Sequence, residues 1–530
     1  MAYERTVKSR GHKYRQLVES RWDPVKKQPR THVIKHLGKV VEEDGKTKVV
    51  PAGLKVDSIQ SAFPVGKLAL FWNIIQEFGI QQALQESLGD ETLANAIIIL
   101  VLNQLSGRKA LTKIEDWVTE SPLPRWMGIN PKNLTRDRLL NALDSVVSKR
   151  DGKIVSNVIE IQSKCADQWL GKVEKPSQKS FYYQDVTRIK YHGKRCEWAE
   201  PGHGPERGKT YIGSGLIISR DCRMPLRGIT IRGSNTDMTT VEEFVDTLSI
   251  KEHPEIILVW DRGFVKKANV QIARGKGYHV LAPGVLTSNA VKEELVRYTD
   301  AELERRSQLV QLPSGRGVYC KDRIGKLYGE RCRIVVMFDP ERRNRERLAR
   351  DRLLQELEAS KDKEIIAQLK KELSPVVVPA PGRRGYLIDD DAEKLARKSD
   401  GRIVFFCTDL SISASEILQT YYLKDQIEKA FRLLRNSGWL SPIQYQNRER
   451  VEAYLTVVCF LAYEVIAGVL WKLLESNLKF GFKELVYKLR KLHEVELVSR
   501  KKTIFRWTHL TKKEEKLFAP FGITGLKPSH

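Results

Sequence analysis

The sequence is short of acids for its bases: 66 Asp and Glu stand against 91 Lys and Arg, a formal net charge of +25 over 530 residues. An excess of that size argues against an acidic partner being repelled and for a polyanion being held, either nucleic acid or an anionic membrane surface. None of the seven cysteines forms a C-x-x-C pair, so a zinc ribbon or disulfide scaffold is not expected and a reducing cytoplasm fits. The ten histidines include no H-E-x-x-H motif, which removes the metalloprotease helix. Residues 1–21 are polar and basic with no apolar stretch, so they do not read as a secretory signal. Long apolar runs are scarce. Ala96–Leu102 is too short to span a bilayer, and Ala453–Trp471 carries Glu464 near its middle, which would cost about 3 kcal/mol in lipid. A helix in a large soluble core explains that run better, and no membrane partner is expected. No internal repeat is visible.

What is present divides the chain into regions. Residues 1–65 form a basic N-terminal region, expected to bind DNA, with eleven Lys and Arg before Val40 against Glu4, Glu19 and Asp23. Short strands are expected there at Tyr14–Val18 and Thr31–His36. Residues 66–176 follow a helical period and read as a helical domain. From 177 to 285 the pattern becomes β, β, β, α, β, α, β, the first part of a mixed-sheet α/β core. Its expected strands are Phe181–Tyr191, Ile212–Ser219, Leu226–Arg232, Ile256–Trp260 and His279–Ala282. Residues 286–413 read as an α+β insertion with an intensely charged helical stretch, Asp339–Leu373. Residues 414–470 return as the second part of the core, opening on an amphipathic helix over Ser415–Arg435 capped by Ser413 or Ser415. Residues 471–530 read as a basic helical C-terminal region.

Three acids stand out. Asp185 lies inside the apolar and aromatic strand Phe181–Thr187, where a carboxylate needs a cation or metal partner; alternatively it sits on an edge strand facing water. Asp261 closes the run Ile256–Trp260, and ligand chemistry in α/β sheets gathers outside the carboxyl ends of strands; the plain alternative is a helix N-cap or turn aspartate. Glu428 lies on the amphipathic helix. At about 100° per residue, Tyr421, Lys424, Glu428 and Arg435 share one stripe, which is either a metal-holding carboxylate flanked by phosphate-holding cations or a solvated face. Phosphodiester chemistry without a covalent intermediate commonly uses two Mg²⁺ ions about 3.5–4 Å apart. Asp185 suits the bridging ligand, with Asp261 and Glu428 holding one ion each, and Mn²⁺ can substitute.

At these residues the sequence resembles a DDE transposase of the insertion-sequence-4 class, in the branch named after element 1634. Asp185-Val186-Thr187, Asp261-Arg262-Gly263-Phe264 and Gly233-Ser234-Asn235-Thr236-Asp237 match its motifs in order. Tyr421, Lys424, Glu428 and Arg435 keep the spacing of its Y-(2)-R-(3)-E-(6)-K signature with arginine and lysine exchanged. The likeness runs from about residue 14 to 470. It implies an RNase H-like catalytic core, cleavage of the element's terminal inverted repeats by Mg²⁺-dependent hydrolysis, and joining of the freed 3′-OH to target DNA. It also implies a homodimer on the DNA ends, a nucleoid-associated cytoplasmic location, and strand positioning by Tyr421, Lys424 and Arg435. Relatives with a β-rich insertion often stack a tryptophan on a flipped base; here no tryptophan lies between Trp260 and Trp439. Gly202–Thr210 resembles a P-loop, but its glycine spacing is wrong and a strand follows, so ATP binding is not expected. Asp389-Asp390-Asp391 reads as a solvated turn or a helix start rather than a metal site.

Overall fold

The computed structural model describes the chain except residues 1, 10, 25, 44–45, 51–57, 174–178, 202–205, 207, 237–238, 249–254, 381–384, 437–442, 444, 500–501 and 525–530. Asp237 therefore lies outside the described residues, as does most of the P-loop-like stretch. The chain divides into two compact units.

The first unit comprises residues 1–65, 491–512 and 524–530. Its basic N-terminal part is a four-stranded antiparallel meander, Ala2–Ser9, His12–Asp23, Gln28–Glu43 and Lys46–Val50. These strands are longer than the apolar alternation alone predicts. Cross-strand bonds such as Arg5 to Gln16 and Gln16 to His36 (3.0 Å) extend the pairing through polar positions. A second sheet pairs Ser58–Pro64 with His493–Ser499, and that strand with Lys502–Trp507. The expectation of an all-helical 471–530 is thus corrected: helices at Phe482–Leu489 and Lys512–Phe518 flank a hairpin. Alternation in His493–Ser499 and the β-branched and aromatic run Thr503-Ile504-Phe505 favour strands, a period masked by the surrounding lysines.

The second unit comprises residues 66–490 and 513–523. Its spine is a mixed sheet in which the path runs Pro225–Arg232, Thr210–Ser219, Ser180–Lys190, Ile256–Val259, His279–Pro283, Arg402–Cys407, Glu330–Phe338, Gly317–Leu327 and Leu309–Gln311. Ser180–Lys190, Ile256–Val259 and His279–Pro283 are mutually parallel, whereas Thr210–Ser219 and Arg402–Cys407 run antiparallel to their neighbours. The two parallel crossovers carry helices Val241–Thr247 and Lys267–Gly275, as parallel pairing requires. Residues 286–413 do not hang off this sheet. Their strands continue it edge to edge, and the helices Pro340–Ala359 and Lys363–Glu372 form a hairpin with its own small core of Leu357, Leu369, Leu373 and Val377.

Helices including Gly66–Glu77, Glu91–Leu105 and Val158–Val173 surround a continuous helical run, Arg448–Glu475. By length and composition that run passes as a membrane span, yet 94% of its most apolar window is buried inside the fold. It crosses the sheet where Gly228 leaves room: a Cβ there would stand 3.0 Å from Phe460. Gln162 locks the layer by donating to Gly228 O (3.0 Å) and Thr456 O (2.8 Å) while accepting from Gly228 N–H (3.1 Å). Glu464, mid-run, is fully buried, and among the described residues neither carboxyl oxygen has a hydrogen-bond partner. All seven cysteines are free and buried.

Candidate active site

Asp185 stands on a central strand, not an edge, between Thr210–Ser219 and Ile256–Val259. Its water-facing-edge alternative therefore falls away. Tyr183 pairs in register with Val259 on the parallel neighbour. Asp185 lies two residues beyond that rung, and Asp261 two residues beyond it on the extended backbone that leaves the neighbouring strand, so by alternation both fall on its face. The intervening residues point the other way and are tied together there: Trp260 Nε1–H donates to Gln184 Oε1 (2.9 Å), both buried. Asp185 is half-buried, and its Oδ1 accepts the N–H of Val186 at 2.9 Å.

The helix just before the third acid, Ala414–Tyr422, covers this same face. Tyr183 O–H donates to Thr420 O (2.8 Å), and Arg220 donates to Thr420 Oγ1 (3.0 Å) while stacking on Phe181. Ser413 caps this helix through Glu416 N–H. The stretch is not the single helix expected. Ala414–Tyr422 and Asp425–Asn436 are separate, joined by a tight turn in which Lys424 N–H bonds Tyr421 O and Ile427 N–H bonds Lys424 O. In such i→i+3 geometry residues three apart eclipse, which brings Tyr421 and Lys424 onto one target. Tyr421 O–H donates to Asp261 Oδ1 at 3.1 Å, and Lys424 Nζ to Asp261 Oδ2 at 2.6 Å. Asp261 stands at the N-cap position of the short turn Arg262–Phe264, but its side chain makes no capping bond there.

Lys424 is 5% exposed, and a buried ammonium is tolerable only beside an anion. Burial, reinforced by Asp261, raises the Tyr421 phenol above its ordinary range, so it stays a proton donor. Glu428 is exposed on Asp425–Asn436, a helix that packs against the strand of Asp185. It has no ion pair among the described residues, although its neighbours Asp425 and Lys429 form one at 2.5 Å. Arg435 lies in the last turn of this helix; its side chain is outside the described residues.

Beside Asp261 opens a cleft of about 400 Å³. Arg262, Arg342 and Tyr421 line it, over Phe405. Sequence reasoning passed over both arginines. Arg262 sits inside the Asp261 motif and was readable as a cation next to an acid. Arg342 comes from the charged helix Pro340–Ala359, and only the continuation of the sheet through Arg402–Cys407 brings it here.

Residues 176–464 match the family described as transposase DDE domain. The chain belongs to that family. The matched span contains Asp185, Asp261, Tyr421, Lys424, Glu428 and Arg435. A piggyBac transposase synaptic complex with hairpin DNA aligns over 81% of this chain and 79% of that one, at 10% identity and a TM-score of 0.34, too slight a likeness to build on. No curated protein matches the sequence.

The donor chemistry, three carboxylates from neighbouring elements, suits a hard divalent cation. The arrangement stops short of a ligand cluster: among the described residues no three His, Cys, Asp or Glu side chains are gathered around one point. Lys424 and Tyr421 take both oxygens of Asp261, so a metal at this transposase site would compete with the Lys424 ammonium.

Proposed function

We propose that this transposase acts on the ends of its own element, in the manner of the insertion-sequence-4 class and its 1634 branch. It binds the terminal inverted repeats, hydrolyses a strand to free a 3′-OH, and joins that 3′-OH to target DNA as a homodimer on paired ends. The observation that carries the reading is Asp185 and Asp261 side by side on one face of parallel strands, under the turn of Tyr421 and Lys424. The strand order Pro225–Arg232, Thr210–Ser219, Ser180–Lys190, Ile256–Val259, His279–Pro283, with the second antiparallel to the third, supports an RNase H-like core.

Asp185, Asp261 and Glu428 would hold divalent metal, Mg²⁺ or Mn²⁺, which when bound activates water and stabilises charge on the phosphate. The chain's own cations do the rest. A phosphodiester approaching bare carboxylates is repelled; here the Lys424 ammonium neutralises Asp261, and Arg262 and Arg342 present guanidinium groups to the strand across the cleft. Arg435, later in the same helix as Glu428, would contact the strand as well. The basic residues 1–65 and the tail after 471 bind the DNA ends, in a nucleoid-associated cytoplasmic setting, and 66–176 supports the core. Incubation with a DNA carrying the inverted repeats that flank the gene, plus a supercoiled target, tests this. The expected products are cleaved ends and end-joined target; cleavage without joining would make the protein a nuclease instead.

A further inference from the structure

At the start of the Arg448–Glu475 helical run lies a second cleft, about 470 Å³, away from the three acids. Three separate segments converge on it. Helix Arg136–Val146 supplies Arg136, the loop after the central strand supplies Arg195, and the helical run supplies Arg450. Cross-links fix the segments against one another. Arg450 makes a bidentate pair with Asp144 (2.8 and 2.7 Å), Tyr191 O–H donates to Tyr445 O (3.1 Å), and Lys194 N–H donates to Gln446 Oε1 (3.3 Å).

The charges that face the cleft are unbalanced. Arg195 is exposed and has no carboxylate partner among the described residues; Arg136 has only Asp137, at 3.6 Å on open surface. Two neutral donors complete the lining. Asn447 is the cap residue of the helical run, but its side chain makes no capping bond. Tyr445 is 7% exposed, lies at a tilt against Tyr454 with ring centroids 5.0 Å apart, and lines the cleft. Burial raises that phenol, so it remains a donor. Cations with amide and phenol donors around one hollow are the groups that hold phosphate oxygens.

We propose that this cleft is a second phosphodiester site, in which Arg136, Arg195 and Tyr445 hold a backbone phosphate of the bound DNA. This rests on the reading of the chain as a DNA transposase. Six residues of extended strand separate Asp185 from Tyr191, roughly 20 Å, so the phosphate held here is not the one being cut. The site instead fixes the angle at which the duplex leaves the catalytic face, by gripping it from the helical domain and the core at once.

The test is binding of the full-length protein to a duplex of about 30 base pairs, followed from about 50 to 300 mM salt. Arg136→Ala/Arg195→Ala should make the slope of log affinity against log salt shallower by about 0.9, the value of the one phosphate contact that both arginines share. Tyr445→Phe, which keeps the ring, should weaken binding several-fold with the slope unchanged. A melting temperature matching wild type shows that the variants fold. Unchanged slope and affinity in the double variant, with wild type binding and cleaving normally, would overturn this site alone. Thermal stabilisation by inorganic phosphate that both arginines are needed for, with DNA binding untouched, would make the cleft a small-anion site and overturn it too. Wild-type protein without salt-dependent DNA binding would bring down the transposase reading and this site with it.

Discussion

Glu464 offers a prediction whose size follows from its surroundings. The side chain is fully buried between helices, neither carboxyl oxygen has a hydrogen-bond partner among the described residues, and burial pushes its pKa from the ordinary 4.5 up to about 8. In the folded protein at pH 7 it is therefore mostly protonated, whereas in the unfolded chain it is ionised. Its contribution is most favourable below about pH 4.5, where both states are protonated, and is lost progressively as pH rises towards 8. At about 1.4 kcal/mol per unit of pKa difference, ionisation of the unfolded state costs the fold about 3 kcal/mol at pH 7 and about 5 kcal/mol above pH 9. Glu464→Gln keeps the shape and removes the proton. Whatever the amide costs is independent of pH, so the stability difference between variant and wild type should move in the variant's favour by about 1.4 kcal/mol per pH unit across pH 5–8. Denaturant unfolding followed by tryptophan fluorescence reads that difference; the other titrating groups cancel between the two proteins. A difference that stays constant from pH 5 to 8 would refute the argument.

Other outcomes are expected. Lys424→Met frees Asp261 of its ion-pair partner, so Mn²⁺ binding measured calorimetrically without DNA should tighten; an unchanged affinity would mean that the ammonium does not compete for the carboxylate. Gln162→Ala strands three buried backbone partners and should destabilise the second unit by about 3 kcal/mol or more in thermal or urea unfolding. Alanine at Asp185, Asp261 or Glu428 should abolish cleavage in a gel assay while end binding persists, because affinity comes from phosphate neutralisation elsewhere. Deleting residues 1–40 should flatten the salt dependence of binding and weaken discrimination between element ends and random DNA; full retention of both would move recognition elsewhere in the chain.

The parts of the fold that sequence exposes are those governed by local period. The strand around Asp185 and the run Ile256–Val259 sit within a residue or two of where alternation puts them, and the helices Val241–Thr247 and Lys267–Gly275 fall at the two helical places in the expected β, β, β, α, β, α, β order. Pairing across long separations is not local and was not legible. Nothing in Arg402–Cys407 says that it lies antiparallel beside His279–Pro283, and with that missing, Arg342 cannot be brought to Asp261. The break at Leu423-Lys424 contains neither glycine nor proline. A straight helix places Tyr421 and Lys424 on a broad stripe, whereas the tightened turn aims both at one carboxylate, and the bond to half-buried Asp261 is a tertiary cause with no local signature. The hairpin at His493–Trp507 was hidden for a different reason: lysines and arginines around it dilute the strand period. Tyr445 carries no signal of its own, since its role depends on three segments meeting.

The central claim is that Asp185, Asp261 and Glu428 share one metal site. Fe²⁺ bound in place of Mg²⁺, with ascorbate and peroxide, cleaves the polypeptide only close to the ion, and the fragments can be mapped by mass spectrometry. The account predicts cuts beside all three residues, suppressed together by excess Mg²⁺ and lost together in Asp261→Ala. Cuts near Asp185 and Asp261 that never include the Asp425–Asn436 helix would contradict it, because Glu428 would then lie outside the site.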